Sequence, residues 1–417
     1  MAIQRGVELM SWEKVKLGDV CESISDGDHL PPPKSVNGVP FVTISNVNSS
    51  NQFDFKNTMF VPQEYYEKLD EKRKPRINDI LYSVVGSFGI PVFIKENRPF
   101  VFQRHIAILR PNESRIHPRY LYYKMLSKNF YMKADAVAIG AAQRTISLTS
   151  LRNMEISIPC KDSQKRIADI LSAYDNLIEN NQKQIKLLEE AAQRLYKQWF
   201  IDLRFPGHET TPIVDGLPKG WRKEKLGDVV DYVRGTSYTS NELSDNEGVL
   251  LVNLKNINAF GGYKRNAEKR FTGKYKENGI LESGDLVMGC TDMTKERRLV
   301  GHVALIPNLR EHAVFTMDLL KLLPKRISKT FLYAQCRFGG LSYKISPLAN
   351  GANVFHLRPE NMADIEVLCP EKSIVEMYDN VFASMISKIE KLEDQIQLAA
   401  ESRNRLLPKL MNGELEI

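Results

Sequence analysis

The sequence predicts an α+β protein in which two similar mixed α/β units are separated by two long helices that pair as an antiparallel coiled coil. Three observations predict this fold: two heptad segments, a repeat with a period near half the chain, and a basic charge excess confined to the regions outside the heptads. A duplicated chain of this kind is expected to have pseudo-two-fold symmetry.

The first heptad segment lies in the middle of the chain, from Ser163 to Phe205. Apolar side chains recur there at alternating steps of four and three residues, which is the spacing that winds two helices around each other. These positions are Ile167, Leu171, Tyr174, Ile178, Ile185, Leu188, Ala192, Leu195 and Trp199. Asn181 is the polar residue on this seam, and we expect it to fix the register of the pair. Alternatively, the seam meets solvent or another subunit at Asn181.

A second heptad segment near the C-terminus supplies the partner. Its seam consists of Tyr378, Phe382, Met385, Ile389, Leu392, Ile396, Ala399, Leu406 and Leu410. Ser373 followed by Glu376 predicts a capping box at its start. Pro408 and Gly413 predict its end. For Arg403, the polar member of this seam, a register role and a contact with solvent or a partner both stay open.

The remaining sequence contains an internal repeat. Its matched segments are Trp12 with KLGDV at 16–20 and Trp221 with KLGDV at 225–229, 39–48 and 249–258, 100–111 and 313–324, Gly140-Ala141 and Gly351-Ala352, and 155–159 and 366–370. Short β-branched segments between turn residues predict mixed α/β units with short strands. The predicted division is a first unit at 1–160, a central helix at 161–205, a linker at 206–217, a second unit at 218–370 and a distal helix at 371–417.

Basic side chains are concentrated in the two non-helical regions. Residues 11–150 contain 19 Lys and Arg against 14 Asp and Glu, and residues 218–360 contain 23 against 15. The rest of the chain contains 16 against 22. This distribution predicts a polyanionic partner for the two units. A moderately basic globular domain is the alternative that charge alone leaves open.

Several protein classes are disfavoured by what the sequence lacks. It has no apolar run long enough to cross a bilayer and no signal-peptide hydrophobic region at its start. Its five cysteines are scattered without CxxC spacing, which is typical of reduced thiols, and we expect a cytoplasmic protein. We find no adenine-binding motif of a methyltransferase, no phosphate loop and no metal-ligand spacing. The sequence therefore predicts a chain without a catalytic centre.

At this point the motifs resemble a known family. The chain is similar over essentially its whole length to the specificity (S) subunit of type I restriction-modification systems. The similarity rests on WEKVKLGDV from Trp12, GLPKGWRKEKLGDV from Gly216, IPCKDSQKRIADIL from Ile158 and LYKQWFIDLRFPG from Leu195. The family plan is a target recognition domain, a central helix, a second target recognition domain and a distal helix. The second copy departs from the pattern where an equivalent of Gln164 is expected.

The resemblance implies a non-catalytic subunit that binds double-stranded DNA. Two methyltransferase subunits would dock on it, and restriction/translocase subunits would complete the complex. The chain itself would bind no cofactor: S-adenosylmethionine is expected on the methyltransferase partner, and ATP and Mg on the restriction partner. Each target recognition domain would read half of a bipartite site. Since the two domains share little beyond their framework, the site is expected to be asymmetric.

Candidate DNA-binding residues are polar side chains that follow strand ends or flank small-residue turns, because base edges are read by such groups on a rigid frame. In the first unit they are Thr43, Ser45, Asn46, Ser87, Gln103, Arg104, Gln143 and Arg144. In the second unit they are Asn253, Lys255, Asn256, Lys295, Arg297, Arg298, Asn353 and His356. We expect Gln143 and Arg144 to contact bases and the loop at 295–298 to contact phosphates.

Alternatives remain at two levels. Asn46 can be a turn-forming asparagine, and the 295–298 loop can be a solvated charged surface. For the whole chain, the alternatives are a diverged DNA methyltransferase or nuclease that acts alone, and a coiled-coil scaffold that does not read DNA.

Overall fold

The structure is a computed structural model that describes residues 12–27, 32–48, 50–141, 143–415 and 417. The chain forms two compact units. The first unit comprises Met1–Asn180 and Gln395–Ile417, and the second comprises Asn181–Asp394. Each contains a mixed α/β region and a part of both long helices. The predicted α+β fold with two long helices is confirmed.

The first unit begins with short strands that are interrupted by turns and small helices. Its strands are β1 (Glu13–Lys16), β2 (Cys21–Asp26), β3 (Val39–Val42), β4 (Met59–Val61), β5 (Ile80–Ser83), β6 (Pro91–Phe93), β7 (Val101–Phe102), β8 (Ile106–Pro111) and β9 (Glu155–Ile158). Its helices are α1 (Gln63–Lys68), α2 (Pro118–Leu126), α3 (Lys128–Val137), α4 (Leu148–Asn153) and the first part of α5 (Lys161–Tyr196).

Two sheets form the body of the first unit. One is antiparallel in the order β2-β8-β5-β6, and the other has the order β4-β3-β7 with β3 and β7 parallel. Successive side chains of a strand point to opposite faces. Ile80 and Tyr82 of β5 therefore pack in a core with the helices, while Leu81 packs in a second core with Phe102 of β7. Strands β1 and β9 pair separately.

The second unit repeats this plan. Its strands are β10 (Ile213–Val214), β11 (Leu217–Pro218), β12 (Arg222–Lys225), β13 (Val230–Arg234), β14 (Leu243–Ser244), β15 (Val249–Val252), β16 (Lys269–Phe271), β17 (Ile280–Leu281), β18 (Leu286–Gly289), β19 (Thr291–Asp292), β20 (Val303–Leu305), β21 (Ala313–Phe315), β22 (Leu319–Pro324), β23 (Phe355–His356) and β24 (Glu366–Cys369). Its helices are α6 (Leu226–Val229), α7 (Lys329–Arg337), α8 (Leu341–Ile345) and most of α9 (Lys372–Asn412).

The main strands of the sheets correspond between the two units, and the second unit adds β14 and β17 at the edges of one sheet. The order β13-β22-β18-β20 matches β2-β8-β5-β6, and β16-β15-β21 matches β4-β3-β7. Strands β15 and β21 are parallel, as β3 and β7 are. Both KLGDV segments form one helical turn, directly after β1 in the first unit and directly after β12 in the second. The internal repeat seen in the sequence is thus a repeat of topology and register.

A buried carboxylate precedes the central strand of each four-stranded sheet. Asp79 accepts hydrogen bonds from Nε and Nη2 of Arg110 at 3.0 and 2.9 Å. Asp285 lies 2.6 Å from the ammonium groups of both Lys321 and Lys329. Burial alone would raise the pKa of Asp285, but these two cations and the backbone N–H of Glu282 hold it below its usual value. The two units thus keep the same anion and change its cationic partners.

The long helices run antiparallel within each unit. In the first unit, Ile167 and Leu171 of α5 share a core with Leu410 of α9, and Nη1 of Arg403 donates to Asp175 at 2.6 Å. In the second unit, the ring of Trp199, which follows α5, lies 6.0 Å from that of Tyr378. Residues near the start of α5 therefore pack against the end of α9, and residues after the end of α5 pack against the start of α9. The predicted pairing of the two seams is confirmed.

The polar residues of the seams take different positions. Asn181 is buried, at 2% exposure, as a register residue on a seam should be. Arg403 is partly exposed and forms the ion pair with Asp175 within the first unit. The pair gives Arg403 a place on the seam without a buried, uncompensated charge.

Two predicted helix boundaries are wrong. The capping box at Ser373 is absent, since α9 already begins at Lys372 and the Ser373 hydroxyl donates to the side chain of Glu371 at 3.0 Å. Pro408 lies inside α9 and does not end it. The helix continues because Leu410 and Met411, each 1% exposed, are buried in the core of the first unit, which offsets the cost of an internal proline. Gly413, with a φ of 74°, follows the helix end.

Gln164 has a structural role at the start of α5. Its side-chain oxygen accepts from the backbone N–H of His117 at 2.8 Å, and its nitrogen donates to the Pro159 carbonyl at 2.9 Å. In the second unit, the side chain of Gln335 on α7 bonds both backbone groups of Leu368, each at 3.0 Å. A glutamine thus ties a helix to the last strand in both units, but from different elements.

Candidate nucleic-acid interface

Four turns of the first unit are joined by backbone hydrogen bonds into one continuous edge. The N–H of Gln103 donates to the Val42 carbonyl at 3.1 Å. The N–H of Val84 donates to His105 at 2.9 Å, and that of Gly86 to Arg144 at 3.0 Å. Residues 43–46, 85–89, 103–105 and 143–145 therefore lie next to one another, and we call them the first-unit edge.

All eight candidate residues of the first unit lie on this edge. The side chains of Ser45, Ser87, Arg104 and Gln143 are exposed. Thr43, Asn46, Gln103 and Arg144 are half-buried. Partial burial and the charge of Arg104 lower the pKa of the neighbouring His105, which favours its neutral form at neutral pH. The fold thus collects side chains that are up to 100 residues apart in the sequence, and their contact with DNA stays a prediction.

Asn46 is held within its own turn. Its side-chain oxygen accepts from the backbone N–H of Thr43 at 2.9 Å and from the Thr43 hydroxyl at 3.2 Å. This is a capping-box arrangement, in which an asparagine closes a helical turn onto the preceding residue. The geometry supports the turn-forming interpretation of Asn46, and it leaves the exposed Ser45 as the neighbour that faces outwards after β3.

The guanidinium of Arg144 is engaged by neighbours in its own unit. Its Nη1 pairs with the Asp135 carboxylate, and its Nη2 donates to the Asp135 carbonyl at 2.5 Å. It also lies 5.6 Å from the centre of the Phe88 ring, which stacks on Tyr131. Arg144 therefore fastens its turn to α3. A part-exposed ion pair contributes at most about 1 kcal/mol, so DNA can compete for this side chain, but the exposed Gln143 is the less encumbered base reader.

The turn that presents Gln143 requires glycine. Gly140 has a φ of 102°, and a Cβ placed there would lie 2.6 Å from the carbonyl oxygen of Gln143. In the second unit Gly351 has a φ of 148°, and its Cβ would lie 1.9 Å from the carbonyl oxygen of Val354. No L side chain fits either position, so both units bend the chain at the same point of the edge.

The second unit forms the equivalent edge through the same hydrogen bonds. The N–H of Thr316 donates to the Val252 carbonyl at 3.0 Å, and that of Cys290 to the Asp318 carbonyl at 2.8 Å. Strand β19 then pairs with β23 through Thr291 and His356. Residues 253–256, 291–298, 316–318 and 353–356 make up the second-unit edge.

The prediction that Asn253 and Asn256 contact DNA needs correction. Asn253 is 6% exposed, and its side-chain nitrogen donates to the Ala267 carbonyl at 2.8 Å while its oxygen accepts from the N–H of Lys255 at 2.9 Å. Asn256 is fully buried, and it bonds the Asn253 N–H at 3.0 Å and the Lys264 carbonyl at 3.0 Å. These two side chains hold the turn together, and Lys255 between them is exposed.

The basic loop after β19 is fixed by one buried carboxylate. Asp292 accepts from the N–H and hydroxyl of Thr294 at 2.7 and 2.8 Å. Its other oxygen accepts from the N–H groups of Leu299 at 2.5 Å and Val300 at 3.3 Å. Burial alone would raise the pKa of Asp292, but these hydrogen bonds hold it below its ordinary value. These hydrogen bonds close the loop at both of its ends.

The three cations of this loop differ in their surroundings. Arg297 lies 4.5 Å from the centre of the Phe355 ring, and its Nη1 donates to the Ser346 carbonyl at 3.4 Å. Lys295 and Arg298 are exposed, and Arg298 pairs only loosely with Glu296 at 3.5 Å. Arg297 thus supports the loop, whereas Lys295 and Arg298 extend into solvent, and their contact with phosphates stays a prediction. Asn353 and His356 are exposed on the adjoining segment.

Sequence reasoning missed several residues of the second-unit edge. Their first-unit equivalents follow from the matched hydrogen bonds: Thr316 corresponds to Gln103, Met317 to Arg104, Met293 to Ser87 and Phe355 to Arg144. The signal that could have found them is the repeat itself, since 100–111 and 313–324 align without a gap. Met293, Met317 and Phe355 are apolar, so they lack the polar pattern that marks a base reader in a sequence, and Thr316 is fully buried.

Among the residues that the structure describes, no three His, Cys, Asp or Glu side chains are grouped so that they could hold a metal ion. Within the same residues, none of the helices combines the length and apolar character needed to cross a bilayer.

Comparison with known proteins finds similarity to one family. The family profile described as "Type I restriction modification DNA specificity domain" matches residues 10–190. The MjaIX specificity subunit of Methanocaldococcus jannaschii, a type I restriction enzyme component, is 27% identical over 323 residues, which span 72% of this chain and 69% of that protein. The chain is thus similar to the specificity subunits of type I restriction enzymes.

Two further relatives of this family extend the similarity to the whole chain. The type I restriction enzyme HindI specificity subunit of Haemophilus influenzae is 20% identical over 479 aligned positions, which cover 98% of this chain and all of that protein. The crystal structure of a type I restriction-modification S subunit from M. genitalium has a TM-score of 0.63 at 16% identity and covers 98% of both chains. At that identity the structural likeness establishes the fold.

Proposed function

We propose that this chain is the DNA sequence-recognition subunit of a type I restriction-modification complex. Each unit reads one half of an asymmetric bipartite site, and the chain thereby directs adenine methylation and restriction by partner subunits. The observation that carries the proposal is the pair of edges: one framework, repeated with the same hydrogen bonds, presents different side chains at equivalent positions.

The differences between the edges bear directly on the target. Arg104 in the first unit is replaced by the exposed Met317 in the second, and the half-buried Gln103 is replaced by the fully buried Thr316. Arginine and glutamine offer bidentate hydrogen bonds to guanine and adenine, whereas methionine offers apolar contact. Two edges that differ in this way favour different base pairs, so the two half-sites are expected to differ in sequence.

The electrostatics support binding to the phosphate backbone. The regions that contain the edges hold the basic excess, +5 from 19 minus 14 for residues 11–150 and +8 from 23 minus 15 for residues 218–360. Lysine and arginine contacts with phosphates supply most of the sequence-independent affinity for DNA and make it fall steeply with salt. A scaffold that does not read DNA would lack this salt dependence.

The catalytic steps are assigned to partners. Two methyltransferase subunits would bind the chain and hold S-adenosylmethionine, and restriction/translocase subunits would add ATP- and Mg-dependent cleavage. This chain contributes the placement of the methyltransferases over the target adenines. The alternative, a diverged methyltransferase, predicts adenine methylation by the isolated chain with S-adenosylmethionine, and that assay separates the two.

Methylome sequencing tests the proposal. Cells that carry the chain and its methyltransferase partner should show a bipartite methylated-adenine motif, and deletion of the chain alone should remove it. Methylation that persists without the chain, or a single continuous motif, would contradict the proposed function.

A further inference from the structure

Met293 is an exposed apolar side chain on an otherwise tightly bonded loop. It is 79% exposed, although Asp292 before it is fully buried. The loop is held by the four hydrogen bonds to Asp292, and the N–H of Phe260 donates to the Arg298 carbonyl at 2.8 Å. An apolar side chain that is held in water stabilises the protein only when a partner covers it and removes its surface from water.

The internal repeat places Met293 on the second-unit edge. The N–H of Ile146 donates to Val84 at 2.9 Å, and the N–H of Leu357 donates to Cys290 at 2.8 Å. Val84 and Cys290 are therefore equivalent. The third residue after each is Ser87 in one unit and Met293 in the other.

The residues next to Met293 in the sequence indicate that the partner that buries its side chain is a polyanion. Lys295 and Arg298 are exposed on the same loop, and Arg297 is fixed against the Phe355 ring. Cations beside an apolar tip match the surface of a duplex groove, where phosphates flank the base edges. Because the loop is already ordered, little conformational entropy is lost when it binds.

The chemistry of base edges then selects the contact. In the major groove the apolar group that a base pair presents is the C5-methyl of thymine. Methionine has a polarizable and adaptable side chain that packs well against such a group. We propose that Met293 is a specificity-determining residue that contacts the C5-methyl of a thymine in the half-site read by the second unit. This assignment rests on the proposed function.

The test removes the methyl group from each side of the contact. The full-length chain, purified with its methyltransferase partner, is titrated with duplexes of the methylome-defined site in which each thymine of the second half-site is replaced singly by deoxyuridine. One replacement should weaken binding about fourfold, as expected for one methyl group returned to water. Met293→Ala should weaken binding to the thymine duplex at least as much and should abolish the response to that replacement.

Matched controls separate this contact from general effects. Met377→Ala removes another exposed methionine, on α9, and should keep the full response to deoxyuridine. Met293→Leu should retain part of the response because leucine is also apolar. Thermal unfolding of the variants should match the parent, since Met293 is mostly in water.

Each contrary result has its own meaning. A second half-site without thymine, or a Met293→Ala complex that still distinguishes thymine from uracil, would overturn the Met293 assignment. A 2-aminopurine base placed in the site reports unstacking by its fluorescence. If Met293 causes unstacking and uracil has no effect on binding, the Met293 assignment is also overturned, because Met293 would then be a wedge between bases. A parent complex with no sequence preference at all would overturn the proposed function itself.

Discussion

At the scale of single residues, Asp292 determines the form of the second-unit edge. One carboxylate receives four hydrogen bonds from three residues, on both sides of a loop of exposed cations. Without it, Lys295 and Arg298 would lie on a mobile segment, and binding would have to order them. The buried Asp292 carboxylate thus determines where the positive charges of the second-unit edge lie.

Replacement of Asp292 by asparagine should lower the free energy of unfolding by about 1–3 kcal/mol at pH 7, because the amide places a donor or an uncharged acceptor against the N–H groups of Leu299 and Val300. The folded-state pKa of Asp292 is lowered, so its contribution is present above the ordinary pKa of 3.8 and is lost as the pH falls through the lowered value. Urea unfolding at pH 7 and pH 3 should show the difference between parent and Asp292→Asn shrink in acid.

The control for this comparison is Glu296→Gln, an exposed acid of the same loop. It should leave stability nearly unchanged at both pH values. A parent–variant difference for Asp292→Asn that is equal at pH 7 and pH 3 would contradict the role of the charged carboxylate.

The exposed cations and Gln143 should act differently on binding. The double variant Lys295→Ala/Arg298→Ala should weaken cognate and single-base-variant duplexes by the same factor and reduce the salt slope by about two, because two phosphates are no longer neutralised by the protein. Gln143→Ala should instead cost about 1–3 kcal/mol on the cognate site and relax one position. The measurement is a binding series on both duplex types at several salt concentrations. A changed base preference in the double variant would reverse the two roles.

The sequence could predict the location of the edges but not which side chains face outwards. Asn253 and Asn256 follow a strand, as a base reader can, yet both are buried. Their spacing, three residues apart like Thr43 and Asn46, is that of a capping box and was the available signal for a structural role. Which Arg of the loop stacks on Phe355 depends on a contact across 58 residues, which no local pattern contains.

At the scale of elements, the paired helices are the part of the fold that local sequence describes best. A 3.5-residue repeat predicts which face of each helix is buried. Leu171, Tyr378 and Leu392 lie on that face and are buried. The end of α9 was predicted wrongly because the local preference of Pro408 is overridden by the burial of Leu410 and Met411. Helix ends are set by tertiary contacts of this kind.

Cross-linking tests the pairing within the first unit. Ile170 and Leu406 both pack against its core, one from each helix. With Cys160 replaced by serine, a chain carrying Ile170→Cys and Leu406→Cys should form an intramolecular bond on oxidation and retain the mass of a monomer. A chain carrying Ile170→Cys and Ser384→Cys is the control and should not form it. Bonds that appear only between chains would contradict the intramolecular coiled coil.

At the scale of the whole molecule, duplication would allow one chain to read two different sequences, as the proposed function requires. The framework of each unit is kept by buried groups, including Asp79 in one and Asp285 in the other. The edges have diverged, and the second has gained the loop closed by Asp292. Because the framework and the edge are separate sets of residues, an edge can change its target without loss of the fold.

Most of this organisation could be predicted from the sequence, because a repeat preserves the order of its segments even when the identity is low. Val84 and Cys290 each lie five residues after the matched aspartates Asp79 and Asp285, but the sequence alone does not show that they take the same place on the edge. The backbone hydrogen bonds from Ile146 and Leu357 establish that equivalence. They also make Met293, and not a loop cation, the counterpart of Ser87.

The most direct test of independent reading is an exchange of one unit. Residues 218–360 are replaced by the corresponding region of a related specificity subunit with a different target, and the methylome of cells that carry the hybrid and the methyltransferase partner is sequenced. The account predicts a motif in which one half changes and the half read by the first unit is retained. A motif altered in both halves, or in neither, would contradict it.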